Sequence, residues 1–171
     1  MRLYNCKGNP GMLICHLAVL IILCGAAITA LYKKVGSLDF SINQVRSGYR
    51  NAAGTYNRLG FDVKLDDFTI DNYEKKNWKG LIKGFKSTVS IMENGRVTLR
   101  ENIEVNRPLS YGGYTFYQAG YNPEQPGWTN LMVVKDPGAG TVFFGLGLLN
   151  AGVLITVFKK RRQEKNVLVT L

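Results

Sequence analysis

The chain carries at residues 12–31 the sequence MLICHLAVLIILCGAAITAL, a run of twenty residues without a formal charge. A second run, GAGTVFFGLGLLNAGVLITVF at residues 138–158, is twenty-one residues long and also uncharged. At about 1.5 Å of rise per residue, each run forms a helix of roughly 30 Å, the thickness of the hydrocarbon core of a bilayer. The two runs therefore predict a membrane protein with transmembrane helices over 12–32 and 138–158.

The net charge of +10 is concentrated beside these two runs. Residues 35–137 hold 13 Lys and Arg against 11 Asp and Glu, a net charge of +2, so the other +8 lies in the flanks. Positive flanks stay on the cytoplasmic side, so the basic excess indicates a membrane protein, and no nucleic-acid partner is expected. We expect cytoplasmic tails at 1–11 and 159–171, in a multi-pass protein of the inner (cytoplasmic) membrane.

A cleaved signal peptide is the alternative interpretation of the first apolar run. The run is longer than the usual apolar core of a signal peptide, and Lys33 and Lys34 follow it instead of a small-residue cleavage site, which favours an uncleaved anchor.

The three cysteines, Cys6, Cys15 and Cys24, all lie in the N-terminal tail or the first run. No disulfide framework is therefore expected in the domain that lies between the two predicted helices.

The segment between the helices divides into an irregular lead-in at 33–60 and an extracytoplasmic β domain at 61–137. Apolar and polar residues alternate from Phe61, and the alternation shifts phase after Asp66-Asp67, which predicts a bulge. Asn94-Gly95 predicts a tight hairpin turn, because both residues accept positive φ. Short strands separated by turn signals predict an antiparallel all-β fold, either a sandwich or a small barrel.

His16 is the only histidine, so a Ser-His-Asp triad or a histidine metal site cannot be built in the β domain. We expect no catalytic residue and no metal site in this chain, which would not be an enzyme alone. Within a membrane span, His16 would face protein or a cofactor, and imidazole is a common axial ligand of haem. The alternative is a neutral His16 that is hydrogen-bonded to a neighbouring helix.

Small residues recur on both predicted helices and indicate close helix packing. Gly138, Gly145 and Gly152 are spaced seven residues apart on the second helix, and Asn150 adds a hydrogen-bonding group in mid-span. Ala18 with Gly25, and Ala26 with Ala30, form similar small-residue stripes on the first helix. Such stripes let helix backbones approach one another, so we expect helix packing through these residues.

Three stretches of the chain resemble the ResB family of cytochrome c biogenesis proteins, in what is called system II. These are LDDFTIDNY at 65–73, FKSTVSIMENGRVTLRENIEVNRPLSYGGYTFYQAGY at 85–121, and VVKDPGAGTVFFG at 133–145. The core VNRPLSYGGYTFYQ is the most specific part. By that resemblance, the motif and partner-binding positions are Asn106, Pro108, Tyr111, Gly113, Tyr114, Tyr117 and Gln118. A structural role for the same motif, through turn chemistry at Gly112-Gly113, is the alternative.

The resemblance implies a subunit of a cytochrome c biogenesis complex that attaches haem. Its partners would be a multi-span haem-handling membrane protein, apocytochrome c and the lipid bilayer. The β domain would hold the apocytochrome or brace the partner. No cofactor is expected on this chain alone, and haem would be shared with the partner. Two alternatives stay open: a structural membrane scaffold without a haem role, and a haem-handling enzyme subunit with His16 as ligand.

Overall fold

Two helices flank one antiparallel sheet domain. A computed structural model describes residues 9–72, 82–125 and 127–169. The helices are α1 (Pro10–Tyr32) and α2 (Ala139–Val169). Between them lie eight strands: β1 (Lys34–Ser41), β2 (Val45–Asn51), β3 (Tyr56–Asn72), β4 (Ile82–Glu93), β5 (Arg96–Glu104), β6 (Leu109–Tyr111), β7 (Tyr114–Tyr121) and β8 (Trp128–Lys135). The helix–sheet–helix order predicted from the sequence is confirmed.

Both helices are long and apolar enough to cross a membrane. The candidate spans are Pro10–Tyr32 and Ala139–Lys159, with mean hydropathies of 2.5 and 2.0. Helix α1 begins at a cap, where the Asn9 side chain accepts a hydrogen bond from the Gly11 amide at 3.2 Å. Helix α2 continues past the predicted boundary at 158 as far as Val169. The reason is that the basic tail is rich in Lys, Arg, Gln and Glu, which are good helix formers.

The N-terminus of α2 is capped by Asp136. Its Oδ1 accepts hydrogen bonds from the amides of Gly138 and Ala139, both at 3.1 Å, and from the Thr29 hydroxyl at 2.7 Å. The bond from Thr29 is the main reason why the pKa of the Asp136 carboxyl lies below its usual value. Asp136 thereby joins the end of α1 to the beginning of α2.

The eight strands form one continuous sheet in the order β5-β4-β3-β2-β1-β8-β7-β6. The sequence left a sandwich and a small barrel open, and the structure has a single sheet that rolls around one core. Strands from both ends of the order supply side chains to that core, including Ile103 from β5 and Phe116 from β7, both fully buried. The other core side chains are Leu38, Phe40, Tyr49, Leu59, Phe61, Val63, Leu65, Val89, Ile91, Leu109, Tyr114, Leu131 and Val133.

The predicted irregular lead-in at 33–60 is wrong, because it contains β1, β2 and the beginning of β3. Only alternate side chains such as Leu38, Phe40 and Tyr49 reach the core. The sequence of the segment is therefore mostly polar and gives a weak strand pattern. Two glycines of this segment are places of close approach between strands. A Cβ on Gly48 would lie 2.7 Å from the Tyr56 ring, and a Cβ on Gly36 would meet the Arg50 carbonyl oxygen.

Two local predictions are confirmed. Asn94 and Gly95 have φ angles of 51° and 75°, as a tight hairpin turn requires. The β3–β4 register shifts between Leu65 and Asp67, so Asp66 is the extra residue of a bulge. The predicted cytoplasmic tail at 1–11 lies mostly outside the described residues.

Candidate functional site

The VNRPLSYGGYTFYQ motif, which resembles the ResB family, forms the hairpin of β6 and β7. Its turn residues Gly112 and Gly113 have φ angles of 58° and 77°, between the paired residues Tyr111 and Tyr114. A Cβ on Gly112 would also lie 2.6 Å from Cε1 of Phe61, whereas one on Gly113 would face open space. The motif therefore needs both glycines for backbone conformation, and Gly112 for space as well.

Tyr114 belongs to the core and not to an accessible surface. Its side chain is 8% exposed. Its ring packs edge-on against Tyr49, with ring centres 6.0 Å apart, and against Phe61 at 6.1 Å. The Lys135 ammonium lies 4.9 Å from the centre of the Tyr114 ring. Tyr114 thus stabilises the rolled sheet.

Gln118 is also buried, and it is the centre of a polar network. The Ser87 hydroxyl donates to Gln118 Oε1 at 2.6 Å, and Gln118 Nε2 donates to Thr129 Oγ1 at 2.6 Å. Thr129 Oγ1 in turn donates to the Gly120 carbonyl oxygen at 2.9 Å. The network connects β4 with β7 and β8, which lie on opposite sides of the core. Sequence reasoning missed Ser87 and Thr129, because single hydroxyl residues on strands give no signal.

Tyr111 connects the motif hairpin to the β4–β5 turn. Its hydroxyl donates to the Glu93 carboxylate at 2.9 Å, and its ring meets the Phe61 ring edge-on at 5.0 Å. The hydrogen bond to Glu93 raises the pKa of the Tyr111 hydroxyl. Tyr111 is half-buried and holds two turns together.

The remaining motif positions are accessible to a partner. Asn106 and Pro108 are exposed in the connection between β5 and β6, beside a backbone pair between Glu104 and Arg107. Tyr117 is half-exposed on β7 and pairs with Met132, which is 38% exposed, across the outer face of the sheet. Most of the motif therefore builds the domain, and Asn106, Pro108 and Tyr117 are available for binding.

Asp66 is the centre of a charged cluster on the outer face of the sheet. At its bulge, the carboxylate accepts a hydrogen bond from the Ser90 hydroxyl and lies 3.3 Å from the Lys64 ammonium and 3.1 Å from the Arg100 guanidinium. Burial raises the pKa of Asp66, but the Ser90 and Lys64 hydrogen bonds and the charge of Arg100 outweigh it, so the pKa is lowered. No cluster of three metal-binding side chains occurs among the residues described.

His16 lies on an exposed face of α1. Its Nδ1 donates to the carbonyl oxygen of Met12 at 2.7 Å, so in the neutral ring the lone pair is on Nε2. The ring therefore fits a single axial ligand of a haem. At 100° per residue, His16 lies nearly opposite the face of α1 that carries Gly11 and Ala18 and meets α2. A group bound to Nε2 would have to come from outside the helix pair.

The predicted glycine stripe of α2 does meet α1. A Cβ on Gly145 would lie 2.6 Å from Ile22 Cγ1, and one on Gly152 would lie 2.8 Å from Cys15 Sγ. The contacts place Gly152, Gly145 and Gly138 opposite Gly11, Ala18 and Gly25, all six of them buried. The sequence predicted Ala18 and Gly25 but missed Gly11, which continues their seven-residue spacing. The other predicted pair, Ala26 and Ala30, is exposed and is not part of the contact between α1 and α2.

Asn150 is not part of the contact between α1 and α2, and its predicted packing against a helix stays a prediction. It is exposed on α2, and its Nδ2 donates to the Leu146 carbonyl oxygen one turn earlier at 2.8 Å. The reason is the helical period, which sets Asn150 about 160° away from Gly152.

Comparison with known proteins finds a matching family and several relatives. The sequence model of the ResB-like family matches residues 8–127. The chain is 31% identical over 144 residues to the chloroplastic cytochrome c biogenesis protein CCS1 of Arabidopsis thaliana, covering 78% of this chain and 25% of that protein. It is 35% identical over 120 residues to the cytochrome c biogenesis protein CcsB of Microcystis aeruginosa, covering 67% and 26%. It is 38% identical over 97 residues to protein NrfI of Wolinella succinogenes, covering 56% and 10%.

Among solved structures, cytochrome c heme lyase CcmF shares the fold, with a TM-score of 0.51 and 13% sequence identity. The match covers 85% of this chain and 24% of that one. The chain thus spans about a quarter or less of the length of each of these proteins.

Proposed function

The chain belongs to the ResB-like family, and from that premise we propose that it is a membrane-anchored, non-catalytic subunit of a cytochrome c biogenesis complex. The observation that carries the proposal is the family match, together with relatives whose names describe cytochrome c biogenesis. The non-catalytic role rests on composition, since His16 is the only histidine of the chain and is predicted to lie in a membrane span.

The two helices are proposed to cross the inner membrane. Large apolar side chains such as Leu13 and Phe143 are exposed at 74% and 73%, so they need an apolar environment. The seam of small residues between α1 and α2 is the packing that apolar helices use in lipid. Basic residues lie before the first span and after the second, and such residues stay in the cytoplasm. The β domain between the two spans would therefore lie on the extracytoplasmic side.

The β domain is proposed to act as a rigid platform that holds apocytochrome c or braces a multi-span haem-handling partner. This role is supported by the way the motif is used: Tyr114 and Gln118 stabilise the domain, while Asn106, Pro108 and Tyr117 stay accessible. A binding surface on a stable sheet does not require movement of the domain.

A deletion strain is the direct test of this function. We expect it to lose covalently bound haem from its c-type cytochromes, detected by peroxidase staining of denatured membrane proteins. The affinity-tagged chain, purified in mild detergent, should bring down a multi-span haem-handling membrane protein. A strain with normal cytochrome c would contradict the proposal. If the same partner is nevertheless captured, the scaffold alternative without a haem role is correct.

We propose that haem in the complex is bound by the partner and that His16 packs against a neighbouring helix. The purified complex of the His16→Ala variant should then keep its haem absorbance, at a cost of about 1 kcal/mol or less of helix association. Leu17→Ala, at the next exposed position of α1, is the matched control. Loss of the haem signal in an intact complex, with partial restoration by imidazole, would instead identify His16 as an axial ligand.

A further inference from the structure

Helix α2 has a second patterned face, which is turned away from α1. Its members are spaced alternately three and four residues apart, and all of them are exposed. They are Gly140, Phe143, Gly147, Asn150, Leu154 and Val157, and together they form the outer stripe of α2. At about 100° per residue, Leu154 lies about 180° from Gly145, whose neighbours are Ala18 and Ile22 of α1. The outer stripe therefore lies opposite the contact with α1.

Asn150 places an amide in the middle of the candidate span Ala139–Lys159. Its Nδ2 donates to the Leu146 carbonyl oxygen at 2.8 Å, and its Oδ1 accepts no hydrogen bond among the residues that the structure describes. One N–H and the lone pairs of Oδ1 are left for a partner. Hydrocarbon offers no hydrogen bonds, so a partner that supplies both a donor and an acceptor stabilises the amide there.

The shape of the outer stripe allows a second helix to approach. A Cβ on Gly140 or on Gly147 would meet nothing within 4 Å, so both glycines leave open surface. Phe143 and Leu154, which are 73% and 57% exposed, project on either side of Gly147 and Asn150. Spacings of three and four residues, with large side chains beside small ones, are typical of helices that pack side by side at about 20°.

We propose that the outer stripe binds the outer stripe of a second copy of this chain, in a parallel pair of α2 helices with twofold symmetry. All copies enter the membrane with the same orientation and depth, so the two Asn150 side chains meet. Each amide is both a donor and an acceptor, so the two can exchange two hydrogen bonds across the twofold axis. A single Asn within such a packing stripe fixes the register of the pair. Any other partner would need a matching polar group at this depth, whereas a second copy supplies it by symmetry.

The pair leaves the outer face of α1 accessible. Four helices would lie in the order α1, α2, α2, α1, with His16 exposed on each outer helix. The inference does not depend on the proposed role in cytochrome c biogenesis, because it needs neither haem nor the family motif.

Disulfide cross-linking of the full chain in membranes tests the pairing. With Cys6, Cys15 and Cys24 replaced by Ser, the Leu154→Cys variant should form a disulfide-linked dimer of this chain on mild oxidation. Ile155→Cys is the matched control, because this next residue is 40% exposed but lies about 100° away around the helix. We expect it to give little dimer.

The contribution of Asn150 is measured by Förster transfer between donor-labelled and acceptor-labelled chains in lipid vesicles. Asn150→Leu should raise the dissociation constant of the pair about tenfold, because it removes both hydrogen bonds. Asn150→Gln keeps an amide and should retain most of the pairing. Circular dichroism checks that both variants keep the helix content of the parent chain.

Three outcomes would overturn the proposal. The first is an equal yield of dimer from Leu154→Cys and Ile155→Cys. The second is an equal dissociation constant for Asn150→Leu and the parent chain. The third is capture of a different membrane protein by a photoreactive maleimide on Leu154→Cys in cell membranes, with no dimer, which would mean that the outer stripe binds a partner's helix.

Discussion

At the scale of single residues, Gln118 has the largest expected effect on stability. Replacing it by Leu leaves the buried hydroxyls of Ser87 and Thr129 without their amide partner. We expect Gln118→Leu to lower the free energy of unfolding by about 2–3 kcal/mol. Both tryptophans of the chain lie between the helices, so tryptophan fluorescence during urea unfolding measures the β domain. Gln125→Leu, in an exposed loop, is the control and should change stability little.

The two turn glycines give a graded prediction. Gly113→Val should destabilise the domain by about 1–3 kcal/mol, because a β-branched residue resists positive φ. Gly112→Val should cost more, since its side chain would also clash with the Phe61 ring. Gly113→Asn is the control, because Asn tolerates this conformation. An unchanged melting temperature in Gly113→Val would contradict the explanation.

Asp66 predicts a dependence of stability on pH. Its pKa is lower in the folded chain than in the unfolded one, where it is about 3.9, so the ionised carboxylate stabilises the fold. That stabilisation is present above about pH 4 and is lost as the pH falls through the lower folded value. Unfolding of the Asp66→Asn variant should therefore depend less steeply on pH in acid than that of the parent chain. Asp71→Asn, at an exposed position of β3, is the control and should follow the parent.

At the scale of elements, the seam between α1 and α2 can be tested with two glycines of the same helix. Gly145→Leu should weaken helix pairing by about 1–3 kcal/mol through overpacking against Ile22. Gly147→Leu is the matched control, because a Cβ there meets nothing within 4 Å. The readout is cross-linking of Cys15 to a Leu149→Cys thiol by a short bis-maleimide, with Cys6 and Cys24 replaced by Ser. Equal yields in the two variants would show that the seam does not hold the helices together.

At the scale of the whole molecule, the distribution of charge predicts that both termini are cytoplasmic. In a chain whose native cysteines are replaced by Ser, a membrane-impermeant maleimide should label Arg96→Cys in intact spheroplasts. The control, Lys165→Cys in the basic tail, should be labelled only after lysis. The reverse pattern would overturn the topology.

The sequence by itself determined the features that depend on neighbouring residues. Charge-free runs predicted the two helices, Asn94-Gly95 predicted a turn, the phase shift at Asp66 predicted a bulge, and VNRPLSYGGYTFYQ indicated the family. Each of these signals lies within one continuous stretch of the sequence, where backbone preference and hydrophobic pattern act directly.

Only the tertiary structure decided the features that join distant segments. Strands β1 and β2 were missed because their weak pattern is completed by pairing, with β1 against β8 nearly a hundred residues later. Gln118 acquires its role from Ser87 and Thr129 on other strands, and Gly11 acquires its role from Gly152 on the other helix. Whether a motif residue is buried or free to bind depends on how the sheet rolls around its core, and long-range packing sets that geometry.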